Sequence, residues 1–420
     1  MSVSNQNILD NHAMFIEQGM RYAIKMARKR YESNTNEILV PYIVSTPGTG
    51  KSSIFESINN EFGYGSLSYT LGLKPLEQLS GLPYIDETQE QKRVHWLAPE
   101  IISEIWDLSQ KYEFSTVLID DFHLCTSQQQ AYGFELFTYH RLHGYEFPKN
   151  VRFVVAGNTS SMAGAKQSLS AIMNRMIKIP VKPNRKEWLK NYAEPNGLNS
   201  VVCNFLRNNM HDIYFCEPES CDPTGSPRSW TGLANAIDIV SESEDLSKNI
   251  SLFETLAKGC VSKTAATELT TFFGLYSKVD VNFIFKSNGQ IEFSDSTEKY
   301  PAIIAITDHV IHEIIEFAEK TKFKSKDFPE DYQNICNTMK VYSNIIELYR
   351  KNRDGELATL STHNILSNRS KFNINGKEIT MMDIVSIFIK SKIISPELIH
   401  SMAKDKSDKG ELISQLLNKK

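Results

Sequence analysis

Apolar residues along the chain follow two patterns. Continuous runs at 38–44, 114–119 and 151–156 are dominated by Val, Ile and Leu and read as strands buried on both faces, as in a parallel sheet. Shorter strands are expected at 66–71 and 177–181. Between them, apolar positions recur at helical spacing. Residues 7–31 place Ile8, Met14, Phe15, Met20, Ala23, Ile24 and Ala27 on such a face and end in Lys25, Arg28, Lys29 and Arg30, cations that suit the C-terminal dipole and suggest a solvated helix end. Further helices are expected at 53–60, from Pro99 onward with Ile101, Ile102, Ile105, Trp106 and Leu108 on the buried side, at 127–142 and at 169–176. Strands alternating with helices specify an α/β core, a parallel sheet between helices.

After Asn184 the pattern is helical (185–192, 201–209, 230–241, 252–256, 264–275), interrupted by a breaker-rich loop at 216–227. From Ser277 the character changes again. Asn288-Gly289, flanked by 281–285 and 290–293, and Asn375-Gly376, within 372–379, are hairpin signals. Around them lie apolar-faced helices at 301–319, 329–349, 381–389 and 396–417. His309 and His312 lie one turn apart with no third ligand in view, which fits core-edge residues better than a metal pair. The chain thus divides into an N-terminal helical arm (1–36), an α/β core (37–183), a helical segment (184–276) and a mainly helical C-terminal accessory domain (277–420).

The chemistry gathers where the strands end. The first run leads into Ser45-Thr46-Pro47-Gly48-Thr49-Gly50-Lys51-Ser52, and a helix follows from Ser53. This matches the phosphate-cradling loop G-x-x-x-x-G-K-[ST] at every defined position but the first, where Ser45 replaces glycine. Phosphates must lie against bare backbone N–H groups at a helix N-terminus, and Gly48 and Gly50 let the backbone come that close. Thr46, Pro47, Gly48, Thr49, Gly50, Lys51, Ser52 and Ser53 are therefore the expected nucleotide contacts, with Lys51 reaching the outer phosphates and the Ser52 hydroxyl on Mg²⁺. A Gly/Pro turn could hold a lysine by chance, but here a strand precedes it and a helix follows it, as the mechanism requires.

The second run ends in Asp120-Asp121, as expected of a buried strand whose carboxyl end meets a ligand. Asp120 would hold Mg²⁺ through water and Asp121 would polarise the attacking water. The third run ends at Gly157-Asn158, where Asn158 could bond a γ-phosphate or the lytic water. Arg175 follows, able to pair with a surface acid or to project towards a neighbouring subunit's nucleotide. Pro227 at a first helical position puts Arg228 in the opening turn. An insert at 72–100 contains Gly81-Leu82-Pro83 and two apolar segments, 84–85 and 94–97, flanking the polar run 86–93, which reads as a hairpin.

Composition narrows the class. Of 420 residues, 41% are apolar, ample for packed cores in more than one domain. Lys and Arg total 46 against 50 acids, a net charge of −4, which gives no electrostatic argument for nucleic acid or an anionic membrane, though it is compatible with a local basic channel. The six cysteines are scattered without metal spacing, residues 1–10 are polar, and no apolar run is long enough to span a bilayer; the expectation is a cytoplasmic chain.

The order of Ser45 to Ser52, Ile119-Asp120-Asp121, Gly157-Asn158, Asn174-Arg175 and Ser226-Pro227-Arg228-Ser229-Trp230 resembles the AAA+ ATPases, and within them the MoxR-like group, over about residues 37–275. The insert from Gly81 to Trp96 and the segment from Gln128 to Pro148 are similar to that group in wording as well as order. The resemblance implies ATP and Mg²⁺ as cofactors, Lys51 and Ser52 on nucleotide and metal, Asp120 as the Walker B aspartate, Asn158 as sensor 1, Arg175 as arginine finger and Arg228 as sensor 2. It makes residues 184–276 a lid hinged near Pro183. It also implies a hexameric ring that remodels a protein partner in the manner of a chaperone, the partner bearing a von Willebrand A-type domain. Two departures stand out: Ser45, at a position expected to shape the turn, and Asp121, one methylene shorter than the usual glutamate, which would hold the water less well and slow turnover. Alternative readings are a nucleic-acid motor or loader, and a nucleotide-gated structural ring.

Overall fold

The computed structural model describes residues 13–34, 39–75, 78–79, 81–86, 93–142, 144–158, 170–208, 215, 225–293, 295–321, 329–352, 354–368, 370–374, 377–403 and 412–415. The chain divides into two compact units, residues 1–188 with 211–230, and residues 189–210 with 231–420.

The first unit is a parallel α/β sandwich. Its strands are β1 (Met14–Phe15), β2 (Val40–Ser45), β3 (Gly65–Thr70), β6 (Ser115–Asp120), β9 (Val151–Asn158) and β10 (Met176–Lys182), in the spatial order β1-β10-β2-β9-β6-β3, every neighbouring pair parallel. Two-residue alternation sends side chains to opposite faces. Ile43, Leu118, Val154 and Ala156 meet α1 (Ile16–Glu32) and α2 (Lys51–Phe62), while Tyr42, Val44, Val117, Ile119 and Val155 pack against α3 (Glu100–Lys111) and α4 (Ser127–Tyr139). Short helices α5 (Ser170–Met173) and α6 (Arg185–Trp188) flank β10.

Several sequence expectations shift. The first helix begins at Ile16 because Met14 and Phe15 pair with Val181 and Lys182 as an edge strand. Gly19 permits this, since a Cβ there would lie 2.4 Å from Val181 Cγ1. Trp106 is 45% exposed, because the buried stripe of α3 runs through Ile101, Ile102, Ile105 and Ser109. The helix at 127–142 stops at Tyr139, where His140 takes φ +55°, and Arg141–Leu142 (β7) pairs with Tyr145–Glu146 (β8). The insert forms the expected hairpin, β4 (Leu82–Asp86) against β5 (Arg93–Leu97), whose turn lies outside the described residues.

Arg30 is not on a solvated helix end. Arg30 and Arg152 are each 4% exposed, neither is ion-paired among the described residues, and the Nε of each lacks a hydrogen-bond partner there. Burial pushes Arg30 down to about 10, helped by repulsion from Arg152. Arg152 Nη1 donates to the Val151 carbonyl (3.0 Å) and lies 3.1 Å from His140 Nε2. Desolvation, and then Arg152, pull His140 down to about 4.

In the second unit α7 (Ser200–Asn208), α8 (Pro227–Ser241, whose first turn belongs to the first unit), α9 (Ile250–Cys260) and α10 (Lys263–Tyr276) follow the sequence pattern. The first expected hairpin of the tail is instead a helix end. Val281–Lys286 is α11, and Asn288 (φ +59°) and Gly289 (φ +87°) close it, the Gly289 N–H reaching the Ile284 carbonyl at 2.9 Å. The second is present as β11 (Lys371–Ile374) against β12 (Lys377–Thr380). Long helices α12 (Lys299–Thr321) and α13 (Pro329–Lys351) pack with α14 (Gly355–Ser367), which the apolar pattern did not announce; α15 (Met381–Lys390) and α16 (Pro396–Met402) follow. α14 buries Ser361, Thr362 and Asn364, with Ser361 Oγ 2.6 Å from Thr307 Oγ1 and 2.9 Å from Tyr342 OH. Buried hydroxyls that satisfy one another interrupt its apolar positions Ala358, Leu360, Ile365 and Leu366. His309 packs its ring edge-on against Phe285, 4.7 Å between centroids.

The His140 environment makes a prediction. Its folded pKa lies below its unfolded value, so its contribution to stability is complete above pH 6.5 and is lost as the pH falls towards 4, amounting to about 3 kcal/mol at full expression. An NMR titration of the ring should give a value near 4; a midpoint near 6.5 would show that the ring is solvated.

Candidate functional site

Strand register builds the site. Ser45, the last residue of β2, pairs with Asn158, the last of β9, and β9 lies between β2 and the carboxylate-bearing β6. The carboxyl ends of three adjacent strands therefore open on one edge of the sheet, where ligands of parallel α/β folds sit. There Lys51 Nζ donates to Asn158 Oδ1 (2.7 Å) and to Ser45 Oγ (3.1 Å). Ser52 Oγ donates to Asp120 Oδ2, and Asp120 Oδ1 accepts the Asp121 N–H (2.8 Å).

The loop between β2 and α2 has the features a phosphate needs. Gly48 and Gly50 take φ +74° and +85°. Gly50 is the N-cap of the twelve-residue α2 and has no side chain of its own to cap the N–H groups of that helix start. Lys51 is 7% exposed, and its ammonium donates to Ser45 Oγ, the Thr46 carbonyl (3.4 Å) and Asn158 Oδ1. A buried cation so placed fits an anionic ligand at the helix start. Thr49 Oγ1 lies 2.8 Å from Ser45 Oγ. Ser45 thus sits inside the sheet, and its hydroxyl ties the loop together instead of merely shaping a turn.

Arg228 comes to the same loop. Its N–H donates to the Gly48 carbonyl (3.1 Å), and a Cβ on Gly48 would lie 2.6 Å from Ser226 Oγ and 3.4 Å from Arg228 Cβ. The Arg228 side chain is exposed. Arg175 has other neighbours: Nη1 donates to the Ala171 carbonyl (2.6 Å), and the guanidinium lies 4.3 Å from the Phe134 ring centroid. Within the chain Arg175 is not brought together with Lys51, Ser52, Asp120 or Asn158 by any described hydrogen bond or ring contact. The Arg175 carbonyl accepts the Val40 N–H (2.9 Å), fixing this segment at the start of β2.

His123 is the site residue that sequence reasoning missed. Its Nδ1 lies 3.2 Å from the Asn158 backbone N and 3.9 Å from Asp121 Oδ1, and its Nε2 lies 3.1 Å from Asn158 Nδ2. A neutral imidazole has one acceptor nitrogen and takes one Asn158 donor at a time; a charged ring could take neither. Burial, with Lys51 assisting against the two aspartates, lowers its pKa and so favours the neutral ring. The signal was only a histidine two residues after the aspartate pair. What brings it inward is Asp121, at φ +49°, starting a 3₁₀ turn over 122–124. Asp121 itself is 40% exposed at its side chain.

No protein-family model matches the sequence, and no curated protein does. Among solved structures, the chain is similar to RuvB of Thermotoga maritima. One point mutant of that protein has 10% identity and a TM-score of 0.33 over 74% of this chain and 80% of that one. The RuvB Holliday junction branch migration motor has 11% and 0.32 over 72% and 76%.

The Gly48 contacts generate a test. Gly48→Ala places a methyl at positive φ against Ser226 and should cost about 1–3 kcal/mol of local strain. Hydrogen exchange should then show faster exchange at the Arg228 amide, which bonds the Gly48 carbonyl. Unchanged protection would mean that the contact does not hold residues 226–228 on the loop.

Proposed function

We propose that this chain is a Mg²⁺-dependent ATPase of the AAA+ type, closest in design to the MoxR-like group, that works as a homo-oligomeric ring, most simply a hexamer, to remodel or activate a protein partner bearing a von Willebrand A-type domain. The observation that carries the reading is the convergence of Lys51, Ser52, Asp120 and Asn158 at the carboxyl ends of adjacent strands beside a helix start whose N-cap is a glycine.

In this reading the backbone N–H groups of 48–53 and the Lys51 ammonium bind the β- and γ-phosphates, so Lys51 exchanges the oxygen atoms of Ser45 and Asn158 for phosphate oxygen. Ser52 and Asp120, already hydrogen-bonded to each other, would hold Mg²⁺, which when bound neutralises charge developing on the phosphate oxygens. Asp121 accepts the proton of the attacking water, and neutral His123 positions Asn158 beside it. Arg228 contacts the phosphates from the same subunit. Arg175, anchored on the surface by Phe134 and Ala171, reaches the nucleotide of the next subunit. The β4–β5 hairpin, with Leu82, Tyr84, Ile85 and Leu97 exposed, faces the partner.

Three substitutions separate these roles. Asp121→Asn should bind ATP and fail to turn it over, while Asp121→Glu should retain or raise turnover. Equal hydrolysis by wild type and Asp121→Asn would remove Asp121 from the chemistry. Arg175→Ala should bind ATP normally and hydrolyse it poorly, a finger in trans being worth roughly 10³ to 10⁵ in rate where measured. Mixing Arg175→Ala with Asp121→Asn subunits should restore activity at interfaces pairing an intact Asp121 with an intact Arg175. Mixed oligomers without recovery would leave Arg175 a surface residue of its own subunit.

A further inference from the structure

At the amino end of the sheet, the last turn of α1 and the start of β9 bury two cations together. Arg30 and Arg152 are each 4% exposed, and burial pulls both below the usual arginine range. Among the described residues no carboxylate opposes this: Arg30 feels further repulsion from Arg152, and Arg152 feels the Tyr31 hydroxyl. The acids nearest in the chain are engaged elsewhere. Glu32 and Glu113 both pair with Arg28, at 3.1 and 3.0 Å. Glu146 and Lys149, one of each sign, are exposed on the segment beside His140, and Glu37 lies outside the described residues.

The pair is covered but not sealed. In each guanidinium Nε is the nitrogen that is both wholly covered and unpartnered. No hydrogen bond is described for Arg30 Nη1 and Nη2 or for Arg152 Nη2, and none of these is among the wholly covered orphans, so they keep a face towards solvent. Arg152 Nη1 is turned the other way, to the Val151 carbonyl and His140 Nε2. His140 stays neutral instead of adding a third charge, its pKa pulled down to about 4 by burial and then by Arg152 and Arg30. Two buried charges without a counter-ion are costly to fold around, and an anion that reaches their open ends relieves both.

We propose that Arg30 and Arg152 form a binding site for a small inorganic oxyanion of the phosphate or sulfate class, held by their terminal nitrogens. A doubly charged oxyanion matches two guanidinium forks in charge and in geometry. The slight exposure of both residues leaves little room for a substituent, which selects a free ion over a phosphoryl group carried on a larger molecule. Arg152 is near the first residue of β9 and Asn158 is its last, so this site lies roughly 20 Å along the strand from the phosphate loop and is independent of it. Occupancy ties the end of α1 to β9 and stabilises the first unit.

Two measurements on the full chain test the idea. In the first, NMR follows the His140 ring through its titration in sulfate, a dianion across that range, and in chloride of equal ionic strength. Sulfate should raise the midpoint by about one pH unit, because the anion offsets the repulsion that holds the ring neutral. In the second, thermal melts near neutral pH with about 10 mM phosphate should lie about 2 °C or more above those in matched chloride. Arg30→Met, which keeps the length without the charge, should lose that response, and O-phosphoserine should act at least tenfold more weakly than phosphate. A His140 midpoint that is the same in sulfate and chloride would overturn the proposal, as would a phosphate response retained in Arg30→Met or phosphoserine acting within threefold of phosphate. A response that appears only in Glu37→Gln would give the two guanidinium groups to that carboxylate instead. Should Arg30→Met fail to fold, the wild-type His140 titration decides alone.

Discussion

The constraint on which the first unit depends is the parallel pairing of β2, β9 and β6. Because Ser45 is in register with Asn158, Lys51, the first residue of α2, can reach across to the Asn158 amide. A slip of one residue would turn every side chain of a strand to the other face and take Asn158 out of reach of Lys51. The apolar alternation that fixes this register is shared between two core layers, so the burial that stabilises the sheet also positions the chemistry. His123 adds a neutral contact behind Asn158, in a place where a charged ring could accept neither donor.

Much of this edge was legible because each motif sat at the end of a strongly patterned strand. The apolar runs before Ser45, Asp120 and Asn158 fixed the element type, and the loop glycines are found at positive φ as the chemistry requires. The residues that escaped depend on tertiary context. His123 matters only because Asp121 adopts a left-handed backbone that turns the chain beneath β9. Arg30 looked like one of four helix-end cations; which of them is buried depends on where α1 lies over the sheet.

The second unit was harder to read for a different reason. α14 hides part of its burial behind Ser361 and Thr362, whose hydroxyls meet Thr307, Tyr342 and Met402 on other helices. Asn288-Gly289 supplies the same left-handed backbone to a helix end that it would to a hairpin, and local sequence does not distinguish the two uses.

The central claim is that the strand-end cluster is a nucleotide site organised around Lys51. Titration of the wild-type chain with ATP by calorimetry, with Mg²⁺ and again with the metal chelated, tests it most directly. The account predicts saturable binding of about one nucleotide per chain, weakened when the metal is removed. Absence of saturable binding at millimolar ATP under both conditions would contradict it.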